Sequence, residues 1–207
     1  MTNHLFHVSA AKFHAASLFT STDPHRKAIL ETVHIEPDHA GNGAVLFATN
    51  GHIMAAIHDP LGFCAAPVSI KPDKAMLRNC KTAQSIDVCG KNRMNFEGLI
   101  DRNGSYPDVR SVIPHEIPSK QPETPAAFDS KYLAVFDKAA HIVAGLKPKE
   151  PLGMRVYAVS AHAPALVFFD GHDMKDFLGV IMPREWQFEE PVMPDWLAMP
   201  QVAKDSA

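Results

Sequence analysis

The sequence predicts an α+β fold in which one unit, a strand, a helix and then three strands, is laid down three times. Three observations predict it. The same order of elements can be read in three successive stretches. Proline and glycine punctuate the strand-like runs of the first unit. Each helical stretch opens on a residue suited to a helix start: Ser9, Pro72 and Asp129.

In the first unit, residues 3–8 read as a strand and 9–21 as a helix, with Ser9 as the N-cap. Strand-like runs follow near 28–36, 43–49 and 52–58. Pro24, Gly41-Asn42-Gly43, Asn50-Gly51 and Pro60 punctuate them. The second unit starts at 66–70, and its helix spans 71–82 with Pro72 in the first turn, where a missing N–H does no harm. Its strands fall near 85–89, 93–99 and 109–113. The third unit has a short strand near 125–128, a helix over 129–144 capped by Asp129, and strands near 154–160, 165–169 and 177–182. Between the second and third units, Pro118, Pro122 and Pro125 among polar residues mark 115–125 as an extended linker.

With 207 residues, 46% of them hydrophobic, the chain can bury one large or two small cores. No apolar run approaches the ~18–20 residues of a membrane span, and the polar N-terminus lacks the apolar core of a secretory signal. Cys64, Cys80 and Cys89 form no paired pattern, which fits a reduced, cytoplasmic compartment. The formal charge of −3 is concentrated in residues 184–207, so residues 1–183 are neutral and the question becomes where their cations sit.

Lys71, Lys74, Arg78 and Lys81 fall within an arc of about 80° on a helix. Lys131, Lys138 and His141 share one side of the third helix, opposite a stripe of Leu133, Phe136, Ala140 and Val143. The first helix offers Lys12. Lysines arrayed this way suit a phosphate backbone held without sequence readout.

Three strings carry more specific information: Ala48-Thr49-Asn50-Gly51-His52, then Tyr106-Pro107-Asp108-Val109-Arg110-Ser111-Val112-Ile113-Pro114, then Val180-Ile181-Met182-Pro183. Alone, Asn50-Gly51 means only a tight hairpin. In this order and spacing the strings resemble the bacterial DNA polymerase III beta subunit, the sliding clamp, over about residues 3–183. The resemblance implies a DNA-clamp-like fold with helices on one face of antiparallel sheets, two units to a domain. It divides the chain into a complete domain (1–114), the linker (115–125), a half domain (126–183) and an acidic tail (184–207). It further implies a protein without catalysis or cofactor that sits on duplex DNA through Lys12, Lys71, Lys74, Arg78, Lys81, Lys131 and Lys138. A DNA polymerase or other replication protein would dock by a short peptide in a pocket of Leu30, Thr49, Gly51, His52, Met54, Pro114, Val180, Met182 and Pro183. Rings of that family contain twelve units, so a homo-oligomer, either a dimer or a tetramer, is expected.

The sequence also departs from the family. Asn50 replaces the usual Asp, Ile53 replaces a basic residue, and the chain runs past Pro183 into a tail containing Trp186 and Trp196. Apolar anchors in an acidic, proline-broken segment have the composition of a docking peptide. Twelve histidines invite a metal reading, but His4 and His7 point to opposite faces of a strand, His162 and His172 sit in or beside turns, and no HExxH or paired CxxC pattern is present. No metal is expected. The alternative function is a clamp-like interaction protein that modulates replication proteins without encircling DNA; a metal-dependent enzyme ranks behind both.

Overall fold

The computed structural model describes residues 4–89, 106–120, 122, 125–171 and 174–185. The predicted strand at 93–99, His172 and the tail beyond Glu185 lie outside them. The elements in chain order are β1 (His4–Ser9), α1 (Ala10–Ser17), β2 (Val33–Pro37), β3 (Ala44–Thr49), β4 (Ile53–Asp59), β5 (Phe63–Cys64), β6 (Val68–Ile70), α2 (Lys74–Asn79), β7 (Ser85–Cys89), α3 (Ser130–Ala144), β8 (Met154–Tyr157), β9 (Ala165–Phe169) and β10 (Phe177–Ile181).

Every described strand pair is antiparallel. Seven strands form one sheet in the order β6-β2-β3-β4-β10-β9-β8, and β5-β1-β7 form a second. The central seam of the large sheet is β4 against β10, which sets Ile53 opposite Ile181 and Met54 opposite Val180. Strand periodicity then assigns the two faces. Val33, Ile35, Leu46, Ile53, Ile57, Val167, Phe177 and Ile181 point to the inner face, where they are buried with Phe13, Ala16 and Phe19 of the α1 region and Phe136, Ala139 and Ala140 of α3. The Phe19 and Phe136 rings lie 5.0 Å apart between the two helices. Phe47, Met54, Leu166 and Val180 alternate onto the outer face and form a second cluster with Val109.

The helix starts follow cap chemistry. Ser9 Oγ accepts from the Lys12 N–H at 3.4 Å, Asp73 Oδ1 from Met76 at 2.7 Å and Asp129 Oδ1 from Lys131 at 3.0 Å. Gly145, at φ 66°, ends α3 in the left-handed conformation that glycine adopts without penalty.

Several predicted elements are corrected. The first helix stops at Ser17, where the Ser17 and Thr20 hydroxyls donate to the His14 and Ser17 carbonyls and the backbone tightens to i→i+3 bonds. Residues 28–31 form a 3₁₀ turn, not the start of a strand, so Leu30 is not a strand residue. Asp73 rather than Pro72 sets the start of α2, which leaves Lys71 and Lys81 outside a helix of six residues. The expected strand at 109–113 is a 3₁₀ turn over Val109–Val112. The 125–128 strand reduces to a single bridge, Ala127 to Arg184, and the 154–160 strand ends at Tyr157.

Gly179 decides how closely α3 approaches the sheet. A Cβ there would lie 2.4 Å from Phe136 Cε1 and 2.9 Å from Val167 Cβ, and the Phe136 ring is fully buried. Gly179→Ala should therefore cost about 1–3 kcal/mol by overpacking, read as a lowered urea midpoint. His141 provides a second test. Its Nδ1 faces the Asp137 carbonyl at 2.8 Å and its Nε2 the Glu150 carbonyl at 2.9 Å. Carbonyls only accept, so both contacts are hydrogen bonds when the ring is protonated on both nitrogens. These two hydrogen bonds raise the His141 pKa above 6.5. Its stabilisation is full below that value and is lost as pH rises through the raised one. Urea titrations from pH 6 to 9 should show stability falling, with a smaller fall in His141→Gln.

Candidate peptide-docking cleft

The described residues cover the outer face of the large sheet only in part. The 106–113 segment crosses it, held at three points. The Tyr106 ring stacks on His34 at 4.5 Å, nearly parallel at 6°. Val109 is buried in the outer cluster. The Arg110 guanidinium lies 4.8 Å from the Phe47 ring centroid and pairs with the buried carboxylate of Glu36. The Tyr106 hydroxyl is buried without a well-formed hydrogen bond, and burial pushes its pKa up. Burial, then the charge of Arg110, pushes His34 down to about 4, so the ring under Tyr106 is neutral at pH 7.

Beside this strap a cleft of about 470 Å³ remains open, within the size range of ligand sites. Its floor is the outer face of the β4–β10 seam, Met54 and Val180, continued by Met182 at the exposed edge. One wall is Val109 and Val112 with Pro107 and Asp108; the other is the turn carrying His25, Arg26, Lys27 and Leu30. The β3–β4 hairpin closes one end. Asn50 Oδ1 accepts from the His52 and Ile53 N–H groups at 2.9 and 3.1 Å, and Thr49 Oγ1 donates to the Ile53 carbonyl at 2.8 Å. Gly51, at φ +88°, makes the sharp turn these bonds require. The Met182 N–H donates to the His52 carbonyl at 2.8 Å, tying the third string to the first.

Seven of the nine residues expected to form the pocket line this cleft: Leu30, Thr49, Gly51, His52, Met54, Val180 and Met182. Pro114 and Pro183 do not. The 3₁₀ turn over Val109–Val112 presents Val112 to the cleft and carries the chain past it before Pro114. Beyond Met182 the chain turns toward Ala127, where the Arg184 N–H donates to the Ala127 carbonyl at 2.8 Å, and Pro183 leaves with it.

Sequence reasoning missed the cationic wall. Arg26 Nη2 donates to His52 Nε2 at 2.8 Å, and the His52 ring stacks on Tyr132 at 5.6 Å. Ile53, in the place of the family's basic residue, is a buried core side chain. The cation beside His52 comes from a different element, with no motif to announce it. Val109 and Val112 lie within the quoted second string, but their faces depended on a strand that is a 3₁₀ turn.

The expected DNA-facing set divides. Lys12 is withdrawn from it. Its ammonium donates to the His58 carbonyl at 2.7 Å and reaches Asp176 at 3.5 Å and Asp59 at 3.8 Å, with the side chain 16% exposed. Lys71 pairs with Glu31. Lys131 pairs with Asp129 at 3.1 Å and lies over the Tyr132 ring. Lys74, Arg78, Lys81 and Lys138 are exposed, and no described carboxylate pairs with them. Lys138 and Lys81 converge near His14, whose pKa is lowered by burial and then by these two charges. Among the described residues no three His, Cys, Asp or Glu side chains gather as metal ligands, and no described helix is long and apolar enough to cross a membrane. Cys64 and Cys80 are buried free thiols, and burial raises Cys64 to about 11.

Two helices on the inner face of a continuous antiparallel sheet, with a cleft on its outer face, define the sliding-clamp fold. Solved structures it matches include bacterial DNA polymerase III beta clamps. The chain is similar to the clamp of Bartonella birtlesii bound to griselimycin, with a TM-score of 0.59 and 18% identity over 90% of this chain and 67% of that one. It is similar to the Bacillus subtilis clamp, with a TM-score of 0.57 and 15% identity over 89% and 65%. The Streptococcus pneumoniae beta chain aligns with a TM-score of 0.53 and 13% identity over 90% and 66%. The chain thus spans about two thirds of the length of these clamps. No family model and no curated protein sequence matches it.

The strap provides a pH test. Neutral His34 stabilises the Tyr106 stack fully above the ordinary histidine value of 6.5, and this is lost as pH falls toward about 4. Limited proteolysis within 106–113 should accelerate between pH 7 and 4.5. His34→Phe, which keeps a ring against Tyr106 and cannot be protonated, should blunt that acceleration.

Proposed function

We propose that this chain is a non-enzymatic, clamp-like replication accessory protein. It associates with duplex DNA without sequence readout and docks partner peptides in the outer cleft. The observation that carries this reading is the cleft itself: three strings far apart in sequence converge on one apolar floor at the β4–β10 seam. An extended peptide with one or two large apolar side chains fits such a site, and Met54 and Met182 adapt to varied partners. In this reading residues 1–114 act as a complete clamp-like domain and 126–183 as a half domain joined by the 115–125 linker. The exposed cations Lys74, Arg78, Lys81 and Lys138 face the DNA, and copies of the chain assemble as a dimer or tetramer.

A second reading has its own support. Three of the seven expected DNA contacts, Lys12, Lys71 and Lys131, are paired within the chain, which weakens the electrostatic term that holds DNA. A clamp-like protein that presents the cleft to replication proteins without encircling DNA uses the same site.

Topology separates the two. An encircling clamp is retained on closed circular duplex DNA and lost on linearisation, and Lys81→Glu with Lys138→Glu should lower retention about tenfold at moderate salt. Retention should coincide with a native mass of a dimer or tetramer. In the same assay Met182→Asp should keep retention and lose recruitment of a replicative polymerase. A monomeric mass with equal behaviour on both DNA forms rejects encirclement; unchanged recruitment by Met182→Asp rejects the cleft.

A further inference from the structure

We propose that the acidic stretch after Glu185 docks on the exposed cations of the helical layer, so that the chain carries its own competitor for DNA. The surface it occupies is Lys74, Arg78, Lys81 and Lys138. This rests on the DNA reading above and adds a regulation of that surface. The cations come from separate elements: Lys74 and Arg78 from α2, Lys81 from the turn beyond it and Lys138 from α3. Lys81 and Lys138 both lie near enough to His14, on α1, to lower its pKa further after burial has lowered it. All four cations are exposed, and the described residues set no carboxylate against them. Lys12, Lys71 and Lys131, by contrast, are paired within the described chain. Like charges gathered this way repel one another, and an anion brought among them relieves that repulsion.

The sequence supplies that anion close by. Residues 186–203 hold Glu189, Glu190 and Asp195 and no lysine or arginine. They follow a point fixed at the start of α3, where Arg184 bridges Ala127, just before the Asp129 cap. From Ser130 to Lys138 along α3 is about 12 Å at ~1.5 Å per residue. An extended chain from Glu185 to Glu189 or Glu190 covers about 13–17 Å. Either carboxylate therefore reaches Lys138, and Asp195, further on, reaches Lys81. Each exposed pair is weak, so the docking is loosened by salt and displaced by a polyanion of higher charge density such as duplex DNA.

The chain's two tryptophans, Trp186 and Trp196, both lie in this stretch, so tryptophan fluorescence reports on it alone. In the full chain without DNA, tryptophan anisotropy should fall as salt rises, and Lys81→Glu with Lys138→Glu should give the high-salt value at low salt. Glu189→Gln, Glu190→Gln and Asp195→Asn together should tighten binding of a labelled short duplex about fivefold at low salt, with the gain shrinking as salt rises. That gain should vanish when Lys81→Glu and Lys138→Glu are already present, whereas a change of net charge alone gives the same gain in both backgrounds. Lys81 and Lys138 are exposed, and unchanged circular dichroism checks that each variant is folded. Anisotropy that ignores the lysine variants, or an equal gain in the two backgrounds, overturns this inference and leaves DNA binding intact. No duplex binding by any variant at low salt overturns the DNA reading, and this inference falls with it.

Discussion

The antiparallel pairing of β4 with β10 is the constraint on which the other features depend. It joins strands from opposite ends of the chain into one sheet. Because side chains alternate along a strand, the register fixes both faces at once. With Ile53 opposite Ile181, the inner face becomes a continuous floor for α1 and α3; with Met54 opposite Val180, the outer face becomes the floor of the cleft. A slip of one residue would exchange core for surface on the whole strand. The absence of a side chain at Gly179 and the buried bulk of Phe136 make the intended register a fitted one.

The outer face shows how a binding surface is left open without leaving a sheet unprotected. The strap over 106–113 covers Phe47 and its neighbours with Tyr106, Val109 and Arg110, and Val109 reaches Met54 and Val180 beside the cleft. Glu36 is buried under this strap, and its pairing with Arg110 satisfies a charge that would otherwise be costly to bury. The same pairing fixes the strap laterally, so the width of the cleft follows from a contact outside it.

Much of this was legible in the sequence, and the parts that were not share a cause. The strands at 44–49, 53–59, 165–169 and 177–181 were readable because apolar runs end at turn residues. Ser9 and Asp129 were readable as caps because their chemistry is local. The strings around Thr49 and Val180 named one end of the cleft and part of its floor. What failed needed knowledge of a partner from elsewhere in the chain. Lys12 read as a surface cation, because helix phase says nothing of Asp59 and Asp176 arriving from other elements. Leu30 and Val109 read as strand residues, because an apolar run does not distinguish a short strand from a 3₁₀ turn. Arg26 lies after a proline in a turn, and only the folded hairpin brings His52 to it.

Ser9 is the last residue of β1 and the cap of α1, with no intervening loop. Its N–H also donates to Asp59 Oδ2 at 2.6 Å, at the end of β4. One residue is thus a rigid joint between the small sheet, the helical layer and the large sheet. With no loop between them, moving β1 relative to the large sheet also moves the start of α1 and stretches the Ser9–Asp59 bond.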